Sequence, residues 1–138
     1  MSFDAVKNGI TGIMQAQGFK LSQYKGINDV PASEHGNTFI LNRVSGQNDE
    51  DTSETMASLV YDIQLWELMI FRQKSAENQS VNYDEIHRDI DVLIREIDDP
   101  ANWSSYVRIQ KYLNWKLEDK GTFYLMTMQI KIVDTVTY

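Results

Sequence analysis

The chain contains no cysteine. That removes disulfides, thiolate metal sites and thiol nucleophiles together. Two prolines and seven glycines are scattered through 138 residues, which leaves no Pro/Gly/Ser-rich linker and no low-complexity tract. Positive charge is in short supply, with 13 Lys and Arg against 20 Asp and Glu, for a net charge of −7. Phosphate contacts need clustered cations, so the balance speaks against a nucleic-acid-binding module. No apolar run approaches the roughly 18 residues that cross a bilayer. The first residues lack the basic stretch and continuous apolar segment of a secretory signal, so none is expected.

What is present is an ordinary globular composition, 42% hydrophobic, in a length that suits one domain of about 100–150 residues. Ser2 is a suitable N-cap, Phe3, Val6, Ile10 and Ile13 recur at helical spacing beside Met14, and Gly18 is a natural stop. Residues 3–17 therefore read as an amphipathic helix, weakened by Gly9 and Gly12 by about 1 kcal/mol each relative to alanine. Phe19–Tyr24 reads as a short strand, 25–37 as a loop and Thr38–Val44 as a strand.

The segment 57–73 (ASLVYDIQLWELMIFRQ) is the strongest strand signal. Leu59, Tyr61, Ile63 and Leu65 hold one phase, after which the apolar phase moves to Trp66, Leu68 and Ile70, with Met69 and Phe71 apolar as well. Such a change signals a bulge or burial of both faces. About 15 extended residues span roughly 50 Å, so part of this strand should project or be covered by another chain. Asn82 with Glu85 resembles a capping box, Val81 precedes it as a staple, and Tyr83, Ile86, Ile90, Leu93, Ile94 and Ile97 form an apolar stripe. Residues 83–98 read as a helix that ends before Pro100. Val107, Ile109, Leu113, Trp115 and Leu117 read as one face of a strand. Asp119-Lys120-Gly121 reads as a turn, and Tyr124, Met126, Met128, Ile130 and Ile132 as one face of the returning strand.

The expectation is an α+β fold: a mainly antiparallel sheet of about five strands with two helices packed on one face. It forms one domain over 1–138, with a flexible acidic loop at about 46–56. Charge is unevenly placed. Residues 47–56 carry −4, residues 82–99 carry −5, and residues 100–138 carry +2. An acidic surface on one subunit facing a basic one on the next is one use of such asymmetry; a plain solvated surface is the other.

No sequence motif for chemistry emerges. GxSxG, SxxK, HExxH, GxGxxG and the P-loop pattern are all missing. Asp84, His87 and Asp91 share a helix face and form at most a weak metal set; a solvated polar face accounts for them as well. Asp62 and Glu67 interrupt an apolar strand, and a solvent-facing position or an arginine across the sheet accounts for both. Trp103, Tyr112 and Trp115 lie near Arg108 and Lys111, a combination that serves base stacking in cationic proteins and a core or protein interface in an acidic one. Neither catalysis nor a cofactor nor a metal is expected. Two β segments, Leu65–Phe71 and Phe123–Met128, carry more apolar surface than one small domain can cover, and a second copy of the chain is the simplest cover. The expected subunit or partner interface comprises Trp66, Met69, Phe71, Arg72, Trp103, Arg108 and Tyr112, with Asp49, Glu50 and Asp51 in the acidic loop.

Taken in order, the FDAVKNGITGIMQAQGF helix, the YDIQLWELMIFRQ strand, the DEIHRDIDVLIREIDD helix and the closing YVRIQKYLNWKLEDKGTFYLMTMQIKIV hairpin resemble the tail terminator and neck (tail-completion) proteins of long-tailed bacteriophages. The likeness lies in element order and size. It implies a virion structural protein and not an enzyme: a ring, hexameric in that family, that caps the tail tube and joins it to the head–tail connector. Its partners would be its own copies, the tail tube protein and the connector, with genomic DNA only passing through the lumen and no membrane. Its place would be the tail or neck of the virion, assembled in the host cytoplasm. The alternatives are another tail tube or sheath-associated protein, or a small α+β enzyme or ligand-binding domain with a pocket between the second helix and the sheet.

Overall fold

The computed structural model describes residues 2–31, 36–48, 59–74, 79–103 and 107–137. Helix α1 (Ser2–Ala16) stops as its glycine requires. Gly18 takes φ 87°, its N–H donates to the Gln15 carbonyl and the Phe19 N–H reaches back to the Met14 carbonyl at 3.1 Å. This is a Schellman ending, and its usual hydrophobic partners, Met14 and Phe19, are both buried.

Strand β1 (Lys20–Leu21) is only two residues long, shorter than Phe19–Tyr24. It pairs in parallel with β2 (Thr38–Asn48). A parallel neighbour requires a crossover connection, and residues 22–37 supply it, including a 3-10 turn at Ile27–Asp29. Strand β2 pairs antiparallel with β3 (Leu59–Gln73), β3 with β5 (Phe123–Thr137), and β5 with β4 (Val107–Asp119). The sheet order is β1-β2-β3-β5-β4. The fold is thus α+β with five strands, but the sheet is mixed.

Helix α2 (Gln79–Asp98) begins before the expected capping box, so Asn82 lies inside it. Its side-chain amide donates to the Gln73 carbonyl, fastening the helix start to the end of β3. At the other end Asp99 caps a 3-10 turn at Pro100–Asn102. The Trp103 indole N–H then donates to the Ile97 carbonyl at 2.8 Å. That bond places Trp103 against α1 at Gly9, where an added Cβ would meet the ring at 2.9 Å. Gly9 therefore has a packing reason; Gly12 has nothing within 4 Å.

The phase change in β3 resolves without a bulge there, since β3 and β5 stay in register along their whole length. Both faces are buried instead. One cluster joins Val6, Ile10 and Met14 of α1 and Ile86, Ile90, Leu93 and Ile97 of α2 with Phe39, Trp66, Leu68, Ile70 and the alternating Tyr124–Ile132 set of β5. A second cluster contains Ile40, Met69, Phe71, Phe123 and Leu125, which alternate with the first set along the strands, and it is closed by Val30 and Tyr24 of the crossover. The chain's own 22–30 segment covers what reads in sequence as a surplus.

The bulges lie in the neighbours of β3 and β5. Strand β2 shifts register between Arg43 and Ser45. Strand β4 shifts between Val107 and Ile109 and again between Tyr112 and Asn114. The even alternation expected for β4 is therefore broken, and Leu113 sits in the second irregularity.

Candidate functional site

Among the described residues the sheet has a margin at β4, a partly covered margin at β2 and a patch of face lined by no helix. On the second face, beyond Met69, lies a groove of about 310 Å³ lined by Glu67, Met69, Asn114, Lys116, Glu118, Thr127 and Gln129. Asn114 donates to Gln129 across the strands at 3.1 Å. Glu118 is held between Lys116 and Lys120 at 3.2 and 2.9 Å. Hydrogen bonds from Lys120 and then Lys116 draw its pKa below the ordinary carboxylate value. The groove is a polar, hydrogen-bonding surface, and it lies on the face away from the helices' cluster, not between the second helix and the sheet. Glu67 lines it and forms no ion pair with a described residue. The Asp62 side chain lies outside the described residues.

At the sheet margin, β4 has β5 on one side and no described strand on the other. Its Leu113 and Trp115 are 44% and 37% exposed. On the opposite margin β1 covers β2 only at Thr38 and Phe39, and Val44 is 55% exposed. These two margins were not singled out by sequence reasoning. A bulge leaves the apolar pattern of a strand looking continuous, so neither Val44 nor Leu113 stands out.

The residues expected at an interface are placed as follows. Trp66, Met69 and Phe71 are each 5% exposed or less, so they pack within the chain. The Trp66 indole donates to Gln64 at 2.8 Å. Their apolar character serves the two clusters, and Met69 also borders the groove. Arg72 is half-buried beside α2: it pairs with Glu85 and Asp89 and donates to Asn37. Burial raises the Asp89 pKa, with Arg72 opposing and Glu85 reinforcing the rise. Trp103 packs on α1, and Tyr112 is partly buried against the first cluster. Arg108 falls in β4, where its side chain lies outside the described residues, as do Asp49, Glu50 and Asp51. Of the expected acidic loop, residues 46–48 belong to β2, opposite Gln64, Ile63 and Asp62.

His87 is not a solvated polar group. Its ring lies between Tyr83 and Trp115, at 4.4 and 5.7 Å between centroids, and Nε2 is buried without a hydrogen-bond partner among the described residues. Among the described residues no three of His, Cys, Asp or Glu converge as metal ligands. Tyr83, 46% exposed, extends this aromatic group outward beside β4.

No protein-family model matches the chain, and no curated protein matches it.

Proposed function

We propose that the chain is an assembly protein that works as a ring of its own copies, with the role of a tail terminator or neck protein of a long-tailed bacteriophage. In this reading the ring caps the tail tube, joins it to the head–tail connector and lets the genome pass through its lumen. Both helices lie on one side of the sheet, leaving the grooved face and the margins for neighbours. The chain acts by contact, not catalysis, and resides in the tail or neck of the virion after assembly in the host cytoplasm.

What supports this most is the β3–β5 ladder. Leu59–Tyr61 stay paired with Thr135–Thr137 beyond the point where β2 ends opposite Asp62 and β4 begins opposite Asp134. Among the described residues no third strand flanks that stretch. A two-stranded ribbon is marginal alone in water, and contact with another subunit would stabilise it. The excess of negative charge suits a lumen along which DNA slides, because carboxylates repel phosphates.

The test is negative-stain imaging of the purified full-length chain, alone and added to polymerising tail tubes. Closed rings that stop tube growth are the expected result. Open filaments would favour a tube or sheath-associated protein. Isolated monomers that bind small molecules in the Glu67–Glu118 groove would favour a ligand-binding domain.

A further inference from the structure

We infer that the second face of the sheet, around Lys111, Lys131 and Glu67, docks a partner protein through an extended segment that carries an acidic side chain and, two residues on, a basic one. This rests on the reading of the chain as one that acts by contact, and it gives the chemistry of that contact.

The residues follow from the register. Glu67, Thr127, Gln129, Asn114 and Lys116 line one groove and so share a face. Lys131 stands two residues beyond Gln129 on β5 and belongs to the same face. Its neighbour across the ladder is Leu65 on β3 and Lys111 on β4. Two exposed lysines are therefore directly opposite each other on adjacent strands. Glu67 is opposite Gln129, which puts it diagonal to Lys131, about 7–8 Å away.

Charge sets this part of the face apart. Farther along the same face Lys116 and Lys120 both close on Glu118. Lys111, Lys131 and Glu67 form no ion pair among the described residues. Like charges directly across a ladder destabilise it. The chain holds 20 acidic residues, yet no described one meets either lysine. Among the described residues the crossover closes the face at Ile40, Met69 and Phe71 through Tyr24 and Val30, and nothing covers the Lys111–Lys131 row.

The pattern selects the class of partner. A carboxylate over the Lys111–Lys131 row turns one repulsion into two attractions. A cation over the Glu67 row pairs the remaining charge. The two rows are two residues apart along β5, roughly 7 Å, which is the spacing of side chains i and i+2 on one face of an extended segment. The Gln129 and Asn114 amides share the Glu67 row and add hydrogen-bonding groups between the charges. A nucleic acid offers anions alone. Its phosphates would meet Glu67, and the net charge of −7 would oppose its approach.

The test measures binding of dye-labelled, blocked Thr/Val peptides to the full-length chain by fluorescence anisotropy at low salt. One peptide carries Glu and Lys two residues apart, a second carries Glu at both positions and a third Lys at both. The mixed peptide is expected to bind about fivefold more tightly than either control, the worth of one exposed ion pair. Glu67→Gln should erase its advantage over the all-acidic peptide. The Lys111→Gln/Lys131→Gln double variant should erase its advantage over the all-basic one. Lys131→Glu replaces a like pair by an opposite one, so its urea midpoint should not fall below that of the wild type; a lower midpoint would overturn the repulsion on which the proposal stands. Tighter binding of the all-acidic peptide, or of oligothymidylate, would overturn the proposal in favour of a plain anion-binding face. Equal binding of the three peptides would overturn it in favour of a solvated face. Either result, with the copies still assembling, leaves the assembly reading standing. A monomeric wild type that prefers the mixed peptide would overturn the assembly reading and keep this contact.

Discussion

Two glycines in α1 make an internally controlled prediction. Gly9 and Gly12 both sit in the helix interior, where glycine costs about 1 kcal/mol relative to alanine. Propensity alone therefore predicts equal gains from Gly9→Ala and Gly12→Ala. Packing predicts opposite signs. At Gly12 a Cβ meets nothing within 4 Å, so the alanine should stabilise by about 1 kcal/mol, raising Tm by about 3 °C for a domain of this size. At Gly9 the Cβ falls 2.9 Å from Cε3 and Cζ3 of Trp103, and that ring is anchored by its bond to the Ile97 carbonyl. Overpacking of this kind costs about 1–3 kcal/mol. After the helical gain is subtracted, Gly9→Ala should destabilise by on the order of 1 kcal/mol. Trp103→Phe removes the benzo ring that blocks the site, so in that background Gly9→Ala should stabilise, with a coupling of about 2 kcal/mol in the double-mutant cycle. Urea denaturation of the four variants, with m-values compared, measures it. A Gly9→Ala gain equal to that of Gly12→Ala in the wild-type background would refute the seating of Trp103 on α1.

Gly18→Ala places a Cβ at φ 87° and should cost about 1 kcal/mol, read as a fall in the urea midpoint. Asp89 has a raised pKa, chiefly from burial. Its contribution to stability is therefore fully present below the unfolded value near 3.8 and is lost as pH rises through the folded value. Asp89→Asn should flatten the stability profile in that mildly acidic window, and an unchanged profile would contradict the assignment. Trp66 is buried and Trp115 is 37% exposed on β4. Acrylamide quenching should therefore fall in the Trp115→Phe variant and stay close to wild type in Trp66→Phe, and the reverse order would contradict the burial of Trp66.

Much of the fold is legible in the residue pattern. The stripe Ile86, Ile90, Leu93 and Ile97 marks α2, the Tyr124–Ile132 alternation marks β5, and Gly18 and Gly121 stand at positive φ where turn chemistry requires them. The features that escape it share a physical cause. Met69 and Phe71 look like surplus apolar surface because their cover, Tyr24 and Val30, belongs to a crossover whose composition reads as loop. Ser45–Asn48 look like loop because an edge strand tolerates small polar residues. The β4 bulges leave no mark in sequence, since an inserted residue at an edge need not break the apolar count. For the same reason the margins at Val44 and Leu113 emerge only from the register, and the groove residues, drawn from β3, β4 and β5, are brought together only by strand order.

Sedimentation equilibrium of the unmodified chain across a wide concentration range tests most directly whether it assembles with its own copies. A mass settling at one closed multiple of the 16.0 kDa protomer is the predicted result. A mass of 16.0 kDa at every concentration would contradict it.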